Sequence, residues 1–329
     1  MIKIIDLFAG IGGIRKGFEI AFGSNIECVL TSEIDKFAIE TYTANYGDDN
    51  MYGDIKEIKE EDVPDHDILL AGFPCQPFSQ AGLKKGFNDT RGTLFFDIER
   101  ILIKKQPKAF LLENVKQLKG HDNGHTLKVI LEHLEDAGYK TFVKVLAARD
   151  FGVPQNRERI FIVGFLDHSI EFEFPEPTGI PTKVGDILEK NVDKSYTISD
   201  TLWAGHQRRK ETNKLKGKGF GYGLFDENSQ YTNTISARYY KDGSEILIAQ
   251  KGKNPRKLTP REAARLQGFP EDFIINKVSN VQAYKQFGNS VCVPVIAAVA
   301  EQMKKCLEEK HRSNSTKTRK KSKKELVAI

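Results

Sequence analysis

Long apolar runs, paired cysteines and a one-sided charge are all missing from this chain. Among its 329 residues no apolar stretch approaches the roughly 20 that a membrane helix needs, which argues against a membrane role. The opening Met1-Ile2-Lys3-Ile4-Ile5-Asp6 lacks a basic start, a long apolar core and a small-residue cleavage site, so a cytoplasmic rather than secreted protein is expected. The cysteines, at 28, 75, 292 and 306, never fall in CxxC spacing. Neither a zinc site nor a disulfide framework is expected from them, and no bound metal. Lys and Arg number 50 against 45 Asp and Glu, a net charge of +5, and a good part of that excess sits in a tail containing Lys317, Arg319, Lys320, Lys321, Lys323 and Lys324. Charge therefore permits nucleic acid without demanding it. Internal repeats are absent as well.

What is present is an alternation of short apolar runs with helix-period segments, the pattern of βα units on a mostly parallel, doubly wound α/β sheet. Strands are expected over Lys3 to Phe8, Glu27 to Ser32, His66 to Gly72, Ala109 to Glu113, Tyr139 to Ala147 and Arg159 to Phe165. Helices are expected over Thr93 to Lys105 and His125 to Ala137. From Pro175 the texture changes: Pro175, Pro177 and Pro181 mark a connector, and the stretch to Arg256 is rich in Gly, Lys, Asn and Tyr with weak periodicity. That stretch reads as a second, smaller domain. Thr259-Pro260-Arg261-Glu262 then carries a Thr N-cap, Pro at the first helical position and Glu at the third, the start of a helix. A final helix is expected from Val293 to Leu307, with disorder after Lys310, where apolar groups are few and like charges many.

Three motifs carry chemistry. Asp6-Leu7-Phe8-Ala9-Gly10-Ile11-Gly12-Gly13 is a glycine-rich turn directly after the first strand, where a backbone can approach a ligand closely. It is not the dinucleotide fingerprint, whose third glycine would fall at Arg15, and such a turn is also compatible with a plain tight connection. Two acids give it company: Glu33, closing the second strand, can accept from ribose hydroxyls, and Asp54 follows a presumed third strand. All lie at the carboxyl ends of strands, where open α/β sheets bind ligands. The second motif, Gly72-Phe73-Pro74-Cys75-Gln76-Pro77-Phe78-Ser79, delivers a cysteine from a buried strand into a loop. The third is Glu113-Asn114-Val115 together with Gln155-Asn156-Arg157-Glu158-Arg159, charged groups that are costly at core strand ends unless paired or in use. An Arg–Glu pair bracing two strands is one outcome. A pyrimidine site is the other, with a thiolate for C6, a group for N3 and donors for the ring oxygen.

Taken together, FAGIGG, GFPCQPFS, the segment from Arg91 to Asp97, ENV, QNRER and Gln286-Phe287-Gly288-Asn289-Ser290-Val291 make the chain resemble the bacterial DNA cytosine-5 methyltransferases of restriction–modification systems, over nearly all of residues 1 to 310. The resemblance implies a Rossmann-like fold for S-adenosyl-L-methionine over 1–175, a target recognition domain over 176–257, a return to the catalytic domain over 258–310, and a basic tail over 311–329. It assigns Phe8, Ala9, Gly10, Ile11, Gly12, Gly13, Glu33, Ile34, Asp54, Ile55, Gly72, Phe73, Pro74, Leu94, Asn289, Ser290 and Val291 to the cofactor site. Glu33 would take the ribose and Asp54 the adenine amino group. Ile34 departs from the aromatic residue that family members often carry there to stack on adenine.

In that reading Cys75 adds to C6 of a flipped cytosine, Glu113 engages N3, and Arg159 with Arg157 holds the O2 side. The loop from Gln76 to Arg91, with Gly82 and Gly86 as hinges, would cover the base. Gln76, Ser79, Arg91, Thr234, Arg238 and Tyr239 are the implied contacts to double-stranded DNA, with Lys241 also near the groove and Arg208, Arg209, Lys210, Lys214, Lys216 and Lys218 near phosphates. The stretch Ser236 to Ile248 resembles recognition domains of members that methylate the inner cytosine of sites beginning CC. A monomer is expected, with a restriction endonuclease acting on the same site as its companion. The rival readings are a transfer RNA cytosine-5 methyltransferase, opposed by the long basic variable region; a catalytically silent DNA-binding protein, opposed by intact Cys75, Glu113 and Arg159; and a nucleotide-dependent redox enzyme.

Overall fold

The computed structural model describes residues 1–73 and 94–326. Strands β1 (Ile2–Leu7), β2 (Ile26–Ser32), β3 (Met51–Tyr52), β4 (Ile68–Gly72), β5 (Ala109–Val115), β6 (Lys140–Ala147) and β7 (Glu158–Phe165) form one sheet in the order β3-β2-β1-β4-β5-β7-β6. The first five of that order are parallel. β7 runs antiparallel to both its neighbours, since only a short connection separates it from β6. The expected strands are all found, with starts displaced by two residues at most.

The helices are α1 (Gly13–Phe22), α2 (Lys36–Tyr46), α3 (Leu94–Lys105), α4 (His125–Asp136), α5 (Asp200–Leu215), α6 (Pro260–Leu266), α7 (Asn280–Asn289) and α8 (Val293–Leu326). Residues alternate along each strand between two cores. On one face Ile4, Leu70 and Leu111 meet Ile14 and Phe18 of α1 and Ile296, Val299 and Met303 of α8. On the other, Ile5, Leu69, Phe110 and Leu112 meet Phe95, Ile98 and Leu102 of α3 and Ile130 and Leu134 of α4. Both faces are covered, which is why β1, β4 and β5 read as continuous apolar runs.

The last helix returns to α1, as its apolar face required. It continues to Leu326, whereas composition had suggested disorder after Lys310. Residues 311–326 contain neither Gly nor Pro, and Lys and Arg are good helix formers, so local propensity carries the helix on.

Strands β8 (Leu224–Phe225), β9 (Leu247–Gln250) and β10 (Lys253–Arg256) make a small sheet in the order β10-β9-β8. It does not close a core of its own: Ile248 of β9, with Val184, Ile235 and Ile246 from the segments around the sheet, packs with Leu258, Ala263, Leu266, Phe287 and Ile11. Helix α5 was not foreseen, because most of its residues are polar and among them only His206 is buried. The capping box foreseen at α6 is present, with Thr259 and Glu262 each bonding the other's backbone N–H. Among the described residues no helix is long and apolar enough to cross a membrane.

Candidate active site

Strand order reverses between β1 and β4, and their carboxyl ends open onto a cavity of about 400 Å³. Such a switch point is where doubly wound sheets bind ligands. The glycine turn forms one wall through Phe8, Ala9, Gly10, Ile11 and Gly13. Phe8 adopts φ 55°, a left-handed conformation costly for a bulky residue and found where a site over-determines the backbone. Gly12 faces away from the cavity: its carbonyl accepts from the Tyr46 hydroxyl at 2.9 Å and it caps α1 with φ 78°. Its role is to shape the turn, where a ligand contact had been expected.

Glu33 is held from three sides. Its Oε2 accepts from Gly10 N at 2.7 Å, and Oε1 from Ile34 N and Asp35 N, both at 2.8 Å. A carboxylate has about four acceptor sites, so one is left, on Oε2, where the sequence reading had expected room for two ribose hydroxyls. Beyond Phe8 and Glu33, which it shares with the main cavity, lies an adjoining space of about 210 Å³ lined by Ser32, Ile34, Asp54, Ile55 and Leu94. Its walls are largely apolar, and Ile34 is 72% exposed at its rim. Asp54 receives Lys56 N at 3.0 Å and caps the short turn after β3.

The far end of the main cavity holds Gly72, Phe73, Glu113, Asn114, Arg157 and Arg159. Glu113 is opposite Phe161 across β5 and β7, so Arg159, two residues before Phe161, is its diagonal neighbour on the same face. Arg159 Nε lies 3.0 Å from Glu113 Oε1. The N–H is poorly aimed, and Oε1 has no hydrogen bond among the described residues. Burial raises the Glu113 pKa above the usual carboxylate range, although Arg159 and then Arg157 oppose it. The Arg–Glu pair weighed from the sequence thus exists, and it lines the cavity.

Arg157 is used differently from the expectation. Its Nη1 donates to Ile235 O at 3.2 Å and its Nη2 to Gly288 O at 3.1 Å and to Ser290 O. With both terminal nitrogens on backbone carbonyls it fastens three segments, while its buried Nε has no hydrogen-bond partner among the described residues. Asn289, Ser290 and Val291 line the cavity as expected. Pro74, Cys75, Gln76, Ser79 and Arg91, and with them the covering loop, lie outside the described residues.

Two of the expected DNA contacts are corrected. Tyr239 is fully buried: its hydroxyl donates to Ile246 O at 2.7 Å and accepts from Leu258 N at 2.8 Å, so it is a core residue. Arg209 is turned inward to Asp242 Oδ2 at 3.1 Å and Gly221 O at 3.2 Å. Thr234 is half-buried and donates to Asn156 O at 2.6 Å, while Arg238, Lys241, Arg208 and Lys210 are exposed.

Asn114, named within the ENV motif but given no role from the sequence, donates from Nδ2 to Phe73 O at 2.9 Å and so holds the chain just before Pro74. Gln282 and Lys285 on the cavity wall were not foreseen, and Gln286 beside them was quoted only as part of a motif. Their i, i+3, i+4 spacing leading to Asn289 was the available signal. Among the described residues no cluster of His, Cys, Asp and Glu could hold a metal ion.

This is a Rossmann-like transferase fold with a bipartite ligand cavity and a partly buried acid–guanidinium pair at the sheet's switch point. The family model for C-5 cytosine-specific DNA methylases matches residues 2–305, and the chain belongs to that family. Type II methyltransferase M.NlaX of Neisseria lactamica is 71% identical over 307 residues, covering 93% of this chain and 97% of that protein. Type II methyltransferase M.SsoII of Shigella sonnei is 66% identical over 305 residues, covering 92% and 79%. The crystal structure of the S. pombe Dnmt2 methyltransferase shares the fold at 22% identity, with a TM-score of 0.75 over 92% of this chain and 98% of that one.

Proposed function

We propose that this DNA cytosine-5 methyltransferase is the modification enzyme of a type II restriction–modification system, acting on one short double-stranded sequence with S-adenosyl-L-methionine as methyl donor. The observation that carries the reading is the Glu113–Arg159 pair at one end of the cavity and the anchored Glu33 at the other. The cavity fits that donor. Its apolar annex suits a flat adenine against Ile34, Ile55 and Leu94, with Asp54 for the amino group, and Glu33 Oε2 can accept one ribose hydroxyl. Gly72, Phe73 and residues 289–291 wall the methionine end. When bound, the cofactor supplies a methyl group activated on a sulfonium.

Cys75 is the proposed nucleophile, three residues beyond the end of β4 at Gly72. Its thiolate adds to C6 of a flipped cytosine, and the electron pair of the 5,6 bond moves toward N3. Glu113 supplies a proton or strong hydrogen bond to N3, a role that its raised pKa favours, and Arg159 stabilises the charge on the O2 side. C5, now an enamine carbon, would be the nucleophile for that methyl group. Loss of the C5 proton and expulsion of the Cys75 thiolate restore the aromatic ring. Residues 176–257 are proposed as the target recognition region, with exposed Arg238 and Lys241 toward the groove and Arg208 and Lys210 toward phosphates.

A duplex carrying 5-fluorocytosine at the methylated position tests the chemistry, because fluorine cannot leave as a cation. A covalent adduct that survives denaturing electrophoresis is expected, absent in Cys75→Ser and formed about 100-fold or more slowly in Glu113→Gln. No adduct on a substituted site that the enzyme methylates would overturn the Cys75 mechanism. An adduct preferring the RNA analogue would overturn the DNA assignment.

A further inference from the structure

Gln155 has no solvent exposure, and every polar atom of its side chain is engaged. Its Oε1 accepts from Ile235 N at 3.1 Å, and its Nε2 donates to Leu266 O at 2.9 Å and Gln267 Oε1 at 3.1 Å. Gln267 is equally buried: its own amide donates to Phe287 O, and its backbone carbonyl accepts from Val293 N at 2.9 Å. Two residues after Gln155, Arg157 grips Ile235 from the other side, donating to its carbonyl at 3.2 Å. The peptide groups flanking Ile235 are thus held on both sides, by its N–H and its C=O. Asn156 joins the same seam, with its N–H on Thr232 O at 2.8 Å and its O taking the Thr234 hydroxyl at 2.6 Å.

The chain leaves this grip toward exposed Arg238, three residues on. Gly288 leaves no slack there: a Cβ at that position would come within 2.2 Å of Ala237 N and Ser236 C. One residue after Gly288 begins the 289–291 wall of the cavity, and two residues after Arg157 stands Arg159. The segment that heads for the DNA, the wall of the cofactor cavity and the guanidinium of the base pocket all leave one buried junction.

We propose that Gln155 is a positioning residue for specificity: it fixes the register of the segment 235–240 relative to the base pocket, so that only a correctly read site presents its cytosine to Glu113 and Arg159. The proposal rests on the reading of 176–257 as the recognition region. Loss of a fastening that served stability alone would lower methylation of every duplex alike. Loss of a fastening that sets register lowers the discrimination between sites, because a wrong base pair is penalised through contacts that must be held in place.

The test uses the full-length enzyme and the site that it methylates, identified by bisulfite sequencing, beside duplexes differing from it by one base pair. Arg238→Ala combined with Lys241→Ala, measured on the same duplexes, tests the recognition reading separately: an unchanged preference would overturn that reading. Gln155→Met, similar in length and without the amide, is expected to lower the cognate to near-cognate ratio of kcat/KM about tenfold, with most of the change in kcat on the cognate site and with the affinity for S-adenosylhomocysteine within twofold. Gln155→Glu, kept neutral by burial, retains one donor and one acceptor and is expected to restore most of the ratio. Hydrogen exchange in a peptide covering 232–240 should rise in the Met variant alone. If Gln155→Met does not fold, Gln155→Asn, too short to reach both Ile235 and Leu266, carries the same expectation. A folded variant whose ratio equals that of the wild type, or whose activity falls equally on every duplex, overturns the proposal.

Discussion

Asp6 is the residue that most departs from ordinary burial rules. It lies on β1 with no exposure, and neither carboxylate oxygen has a hydrogen-bond partner among the described residues. Burial raises its pKa to about 7, with Arg15 opposing and Glu33 and Glu19 adding to the rise. A folded-state pKa above the unfolded value means stability is greatest at low pH and is lost as pH rises toward 7. Applying proton linkage, this one group should cost about 2 to 3 kcal/mol between about pH 5 and pH 8. Asp6→Asn should remove that difference, and urea unfolding at the two pH values will read it; an unchanged slope would show that Asp6 is charged and solvated. Glu113 gives a second pH signature, in activity. Its proton is held by burial to higher pH than in a free carboxyl, so single-turnover methylation should decline on the alkaline side, and Glu113→Gln should be slower with that limb flattened. A wild-type profile with no alkaline decline would remove Glu113 as the N3 acid.

At the scale of elements, the close approach of α1 and α8 rests on Gly17. A Cβ there would meet Ile296 Cβ at 2.5 Å and the backbone N of Ala297 at 2.9 Å. Gly17→Ala would gain about 1 kcal/mol of helix propensity but lose about 1–3 kcal/mol to overpacking against a backbone that cannot swing away. A lower melting temperature is therefore expected, and a higher one would mean that the two helices separate freely. Legibility divides along similar lines. β1, β4 and β5 were readable because burial on both faces leaves unbroken apolar runs, and the α6 cap because a capping box is local. The Arg256 partner of Glu262, bidentate at 2.7 Å and buried, was not readable, since nothing local couples a strand end to a helix cap. Glu33, Glu113 and Arg159 could be placed from strand ends alone. Arg157 and Tyr239 could not, because their assignment depended on which carbonyls the fold would bring within reach.

For the whole molecule, α8 has two parts with different work. Up to Cys306 and Leu307 it covers the sheet beside α1, while the basic stretch after Lys310 has few apolar groups to bury. A chain ending at Lys310 should fold and methylate the same sequence, losing affinity only at low salt, because distributed lysines contribute screened phosphate attraction. Bisulfite sequencing of DNA methylated by the shortened chain will show an unchanged site, or else assign the tail a part in recognition.

The pairing of α1 with α8 also sets a timetable for biosynthesis. Phe18 and Ile14 are made early, yet Ile296, Val299 and Met303, which cover them, are made long after. At bacterial translation rates of about 5–20 residues per second, that apolar stripe waits roughly 15 to 55 seconds for its cover. Chaperone binding to nascent chains should therefore concentrate on the α1 region and end only when α8 is released, and methylating activity should appear with finished chains, never with those still in synthesis.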